Sequence, residues 1–564
     1  MRRLLKHYLN SLKEEGELDR ICVEMLEDLG LTVDFAPQKG TRQYGVDILA
    51  HGIMPGESEE KAYALIVKAK DIDRQVFDAA ETGVAVSIRE CVNVYERNCM
   101  PGGCRSLPLV VCIVCGGEIK FEVSESLVSL EEAEFKWAKE HKGILVAGEE
   151  WNGDTLAGKL IKSFDNLNIL IAPEKKLMSR AIALANDPSS SFVAFKAFAN
   201  SLLKEDGVSE SVQLRHLHAL NLAVAMLFEE CESDEISNRE AAWLAVEYAY
   251  LREWEFIQRN KAGKRIGKRQ TEALDDVARL YCRIADSYID RISLFVKERY
   301  GFALAVDGYN EVDVILRFYD TLGKLASYGL YQTTKYTTEL AQTENDTTKA
   351  EVTLRINKIA AVMSQMLTGN VAAATPLLDS ESNAIAMAIL FLVQMGYVGL
   401  VRDWIKILIG GLFASFGQGY GYPVASLGYK ELMEHMHLGG GDPIDNKLPS
   451  TELLPMIASI SLKLDALDSY EKVCELIRHL PQNINYQVWF LDEDSENEFF
   501  SGKPLCGSQL CSLPILEKSL FVEILAQEKK ASPVTLSCCK TSHEGLLFIG
   551  CRHYGYPLPG NFIA

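Results

Sequence analysis

Asp47 stands near the start of one strand-like segment, Gly45-Val46-Asp47-Ile48-Leu49-Ala50, and two lysines end another, Ala64-Leu65-Ile66-Val67-Lys68-Ala69-Lys70. An acid and lysines on paired strands hold the ingredients for hydrolysing a phosphodiester. Carboxylate oxygens bind a divalent metal ion, and an ammonium group sits near the attacking water or the scissile phosphate. The period of two along a strand puts Lys68 and Lys70 on one face, with Val67 and Ala69 on the other. Two lysines in an otherwise apolar strand are costly unless that face meets a cleft, water or carboxylates. The plainer alternative is an edge strand whose lysines block unwanted pairing, with Asp47 a surface acid beside a turn.

The surrounding sequence supplies elements that position such a group. Leu18, Ile21, Cys22, Met25, Leu26 and Leu29 recur at helical spacing, and Gly30 occupies a C-terminal stop. Leu31 to Phe35 alternates like a strand. Val46 to Ala50 and Tyr63 to Ala69 read as two more strands, joined through Pro55-Gly56. Phe77 to Tyr95 is expected to be helical, and Leu109 to Cys115 is an apolar run of strand length. Leu130 to His141 reads as a helix, Gly143 to Ala147 as a short buried strand and Gly153 to Phe164 as a final helix. That order describes a mixed α/β layer over residues 1–172.

At the hairpin the pattern becomes specific. "GVDILA" followed by "ALIVKAK" resembles the Mrr-type branch of the PD-(D/E)xK, restriction-endonuclease-like nucleases, which usually carries G-x-D-x-x-A and then a strand ending in Q-x-K or E-x-K. The likeness continues through "PLVVCIVCGG", "GILVAG" and "TLAGKLI", over roughly residues 10–165. The resemblance implies a restriction-endonuclease-like α/β fold and a nuclease using Mg²⁺ or Mn²⁺. It makes Asp47 the main metal ligand, Lys70 the lysine that positions or activates water, and Asp19, on the first helix, an outer acid. Lys68 departs from the family, standing where Glu or Gln is usual. A cation there removes one metal-facing oxygen and adds like charge beside Lys70 unless another acid, such as Asp71 or Asp73, replaces it. The expected activity is cleavage of DNA, with RNA left open, in prokaryotic restriction or anti-phage defence. The alternative is a nuclease fold that no longer cuts and serves as a binding or assembly module.

The rest of the chain reads as two further regions. Residues 178–480 are almost wholly helical in pattern, with amphipathic runs such as Leu214 to Phe228 and Val312 to Leu325, and no fixed repeat. They are expected to act as a sensor, scaffold or self-assembly platform, or to receive a protein partner. Residues 481–564 return to strand-like segments, Tyr486 to Leu491, Leu520 to Leu525, Val534 to Cys538 and Leu546 to Cys551, and are read as a small α/β or β cap. The 564 residues, 48% apolar and 24% charged, fit a multidomain cytoplasmic protein. Ala384 to Val401 runs without a charge, but its polar and glycine residues favour a buried helix over a membrane span.

A net charge of −20 excludes a protein that coats nucleic acid non-specifically, so any such contact must be local. Arg259, Lys261, Lys264, Arg265, Lys268 and Arg269, with no acid between them, are the candidate phosphate contacts, beside Lys68. A solvated loop is the plainer reading of this run. His435 and His437 would point apart on a helix, which makes joint metal ligation poor. Cys506, Cys511, Cys538, Cys539, His543, Cys551 and His553 lack paired C-x-x-C spacing and read as buried residues more than as a zinc site.

Overall fold

The computed structural model describes residues 1–563 apart from 38–43, 164–169, 171–173, 234–237, 262–264, 297, 299–300, 303–309, 338–345, 426, 439–446, 493–494, 503–507, 535 and 542. The chain divides into two compact units. One comprises Met1–Ala249 with Phe256–Leu280, and the other Tyr250–Glu255 with Tyr281–Ala564.

The first unit begins with α1 (Arg2–Ser11) and α2 (Asp19–Asp28), separated by a single π turn, Glu14–Leu18. Gly16 at φ +79° and the extended Glu15 break the helical path there. Five strands follow: β1 (Thr32–Phe35), β2 (Ile48–Gly52), β3 (Lys61–Lys68), β4 (Leu109–Cys115) and β5 (Val146–Trp151). They lie in the order β1-β2-β3-β4-β5, with the first three antiparallel and β3, β4 and β5 parallel. Ile48 pairs with Leu65 and Gly52 with Lys61, which fixes the register of the central hairpin.

Between β3 and β4 come α3 (Arg74–Phe77), α4 (Val84–Glu90) and, after another π turn, α5 (Glu96–Asn98). The longer α6 (Phe121–Lys142) precedes β5, and α7 (Gly153–Ser163) follows it. β4 is buried at every residue. Its unbroken apolar run is what a central strand covered on both faces requires. β5, expected as Gly143 to Ala147 and buried, instead starts at Val146, and of its residues only Trp151 is buried. It is a sheet edge, paired with β4 alone.

The same unit continues with α8 (Glu174–Ala183), α9 (Pro188–Leu202) and α10 (Glu210–Glu232), with parts of α11 (Glu240–Asn260) and α12 (Lys268–Ser293). α1 turns Leu4, Leu5, Tyr8 and Leu9 inward and packs against α7 and α10.

The second unit is mostly helical, as the periodicity predicts. Its long helices include Glu311–Lys335, which runs well past the Val312 to Leu325 pattern, Asp346–Gly369 and Val398–Gly417. The uncharged stretch from Ala384 is not one helix. It splits into Ser382–Gln394 and Val398–Gly417 at Gly396, φ +82°. Among the described residues no helix is long and apolar enough to cross a membrane.

Residues 481–564 correct the strand expectation in part. Val488–Phe490 is a strand paired with Ser508–Leu510, but Leu520 to Leu525 lies inside the helix Lys518–Ala531 and Leu546 to Cys551 inside Gly545–Tyr554. Val534 to Cys538 leads into a short 3₁₀ turn, Ser537–Lys540. A short apolar run carries no periodicity long enough to separate a strand from a buried helix.

Candidate functional site

Asp47 sits one residue before β2. The ladder reaches back to it, since its amide donates to the Leu65 carbonyl at 2.9 Å. Its Oδ2 accepts from the Val67 amide at 2.7 Å. The turn before it needs glycine at Gly45, where φ is +77° and a Cβ would fall 2.4 Å from the Ser87 carbonyl oxygen. Burial pushes the Asp47 carboxyl up to about 6, against the lowering effects of the Val67 amide and the Lys68 ammonium; Glu14 and Asp19 push it the same way as burial.

Lys68 is the last residue of β3. Its side chain is only 14% exposed, and its Nζ lies 3.3 Å from Glu14 Oε1. An acid from the π turn between α1 and α2 therefore answers the cation that stands where the sequence pattern calls for Glu or Gln. Asp19 opens α2 and is buried; its Oδ1 accepts the Arg20 amide at 2.6 Å. Its charge reaches the interior, for the buried Cys22 thiol is pushed up by burial first and then by Asp19 and Asp47. The hairpin and the start of α2 thus gather Asp47, Asp19, Glu14 and Lys68. Glu14 was not singled out in the sequence. The signal available was the Glu-Glu-Gly-Glu break in the helical pattern, opposite a lysine that needed a counter-charge.

Lys70 is placed elsewhere. The strand stops at Lys68, so alternation no longer governs Lys70, which is exposed in the bend that follows. There it lines a cleft of about 360 Å³ with His7, Asp71, Asp73, His218 and Arg269. Asp71 and Asp73, the candidate replacement acids, are engaged in structure. Asp71 accepts the Glu118 amide at 2.9 Å and pairs with Lys120 at 2.7 Å, and Asp73 caps α3 through the Val76 amide.

The basic run is only partly a surface patch. Arg259 pairs with Asp206 at 2.5 Å and donates to the Leu203 carbonyl, and Lys261 bonds to Gln258. Arg265, Lys268 and Arg269 are exposed, and Lys264 lies outside the described residues. Arg269 borders the cleft that holds Lys70.

Among the described residues, two groups bring three potential metal-binding atoms within 4.8 Å of one another: His7, His218 and Asp276, and Asp34, His51 and Cys104. Neither includes Asp47 or Asp19, and neither was read from the sequence, because their members lie on separate elements. His435 is committed to the Tyr420 carbonyl at 2.6 Å and to Lys447, while the side chain of His437 lies outside the described residues. Cys538, Cys539 and Cys551 are free thiols, Cys538 and Cys551 buried; Cys506 lies outside the described residues. The chain matches no family model, no curated protein and no solved structure.

Proposed function

We propose that the first unit is a metal-dependent nuclease that cleaves DNA around Asp47, serving prokaryotic restriction or anti-phage defence, with the helical remainder as its sensor or assembly platform. The observation that supports it most is the buried Asp47 carboxyl at the open end of the β2–β3 hairpin, within electrostatic reach of Lys68, Glu14 and Asp19, with Glu14 paired to Lys68. Oxygen donors with a surplus of negative charge suit Mg²⁺ or Mn²⁺. Asp47, with Glu14 or Asp19, would hold the ion, which supplies Lewis acidity to the phosphate and its attacking water. Lys68, rather than Lys70, is the ammonium beside Asp47, and its task is to hold the phosphate or orient that water.

A second reading has its own observation. Lys68 is already paired with Glu14, and such a pair neutralises an acid the metal would use. On this reading the domain binds nucleic acid without cutting.

The test is incubation of the purified protein with plasmid DNA and single-stranded RNA in Mg²⁺, Mn²⁺ or EDTA, beside Asp47→Ala, Lys68→Gln and Lys70→Ala. Metal-dependent cleavage that falls on the order of 10²-fold or more in Asp47→Ala and Lys68→Gln is the expected result. If Lys68→Gln instead cuts faster and Lys70→Ala is dead, the lysine role moves to Lys70. Absence of cleavage with either metal, alongside retained DNA binding, would replace the nuclease reading with the second.

A further inference from the structure

His7 on α1 and Asp276 on α12 meet across 269 residues of chain, His7 Nδ1 lying 2.7 Å from Asp276 Oδ2. His218 on α10 completes the group, its ring 5.5 Å from that of His7. The other carboxylate oxygen of Asp276 takes Arg279 at 2.5 Å and Arg3 at 3.4 Å. Asp276 is 1% exposed and His218 9%, and the buried His218 Nδ1 has no hydrogen-bond partner. A buried polar atom left unsatisfied is unfavourable and marks a place where something else belongs. The same imidazole, with His7, borders the 360 Å³ cleft.

We infer that His7, His218 and Asp276 form a binding site for a first-row transition metal ion of the Zn²⁺ type. Two imidazole nitrogens and one carboxylate oxygen are the donor set of such ions, whereas Mg²⁺ selects oxygens alone. The three donors lie within 4.8 Å of one another. Tetrahedral zinc with bonds near 2.0–2.1 Å wants donors about 3.3 Å apart, so closure needs only side-chain adjustment. Arg279 and Arg3 hold Oδ1 and thereby aim Oδ2 inward, the role that outer hydrogen bonds take around a ligating carboxylate. Three protein ligands leave a fourth position for water or a molecule in the cleft. The cleft wall also carries Asp71, Asp73 and Glu272 against Lys70 and Arg269, so added positive charge meets acids as well as bases. This site is independent of the Asp47 group in residues and in donor chemistry.

The full-length protein, stripped with EDTA, would be titrated with Co²⁺, followed by its visible ligand-field bands, and with Zn²⁺ against a chromophoric chelator. One equivalent should bind with the bands of a nitrogen-containing donor set, its affinity lowered on the order of 10²-fold or more in both His218→Leu and His7→Gln. Cys104→Ser should bind as the wild type does. Far-ultraviolet circular dichroism checks each variant's fold, and His7→Gln carries the test should His218→Leu not fold. Failure of the wild type to bind either ion at stoichiometric concentration overturns the assignment. So does unchanged affinity in the histidine variants, or loss on Cys104→Ser, which would move the ion to Asp34, His51 and Cys104.

Discussion

A carboxyl that titrates higher in the folded chain than in the unfolded one stabilises the fold while it keeps its proton. For Asp47 that contribution is complete below about pH 4 and is lost as pH rises through about 6. At pH 7.5, without metal, the charged side chain therefore opposes folding. Asp47→Asn keeps an oxygen for the Val67 amide and removes the charge. It should be the more stable protein at pH 7.5 by on the order of 1–3 kcal/mol, with the difference vanishing below about pH 4. Urea titrations at both pH values, followed by hydrogen exchange at β2 and β3, measure this. A wild type more stable than Asp47→Asn at pH 7.5 would mean that Lys68 outweighs burial. Added Mg²⁺ should narrow the gap, because a bound cation favours the ionised carboxylate. The sequence made Asp47 visible, since an acid before an apolar strand is conspicuous. It hid Glu14, whose meeting with Lys68 spans 54 residues and depends on a break at Gly16.

Elements were legible where one physical requirement dominated. β4 was read to its terminal residues, because a strand buried on both faces admits only apolar side chains. The stop of α2 was marked by Leu29-Gly30, with Gly30 at φ +85°. The helices read as strands near the C-terminus failed for the opposite reason, since six mostly apolar residues fit either element. The expected placement of Lys70 on the face of β3 failed because strand alternation holds only while the strand lasts, and β3 ends two residues earlier. The turn before β2 gives a direct check on how the hairpin holds Asp47. Gly45→Ala meets a left-handed backbone and the Ser87 backbone together, so it should destabilise the first unit by more than about 2 kcal/mol. Faster hydrogen exchange along Ile48–Gly52 would register it. Unchanged protection there would show that the turn adapts and that Asp47 is held by β3 alone.

At the scale of the molecule, the charge of −20 sets what contact with nucleic acid can look like. Among the described residues of the basic run, Arg265, Lys268 and Arg269 are exposed, while Arg259 and Lys261 have partners within the fold. Each phosphate contact contributes about −0.9 to the slope of log affinity against log salt on duplex DNA. These three would supply about −3 of the slope, and Arg269→Ala should flatten it by roughly one unit. Fluorescence anisotropy between 50 and 200 mM salt, roughly the range over which such slopes are read, decides it. A slope that Arg269→Ala leaves unchanged would place the duplex contact away from this run. The division into a sheet-bearing N-terminal part and a helical remainder was legible from periodicity alone. That α8, α9 and α10 belong with the sheet was not, because helical spacing tells which face is buried but not against what.

α1 also has a history in time. It leaves the ribosome well before part of the surface that covers Leu4, Leu5, Tyr8 and Leu9, because that surface includes α10, which ends at Glu232. At synthesis rates of about 5–20 residues per second, that apolar face waits on the order of ten seconds or more for its partner. Completion of the first unit is therefore tied to the pace of translation, and the nascent chain carries a sticky amphipathic helix for most of that interval.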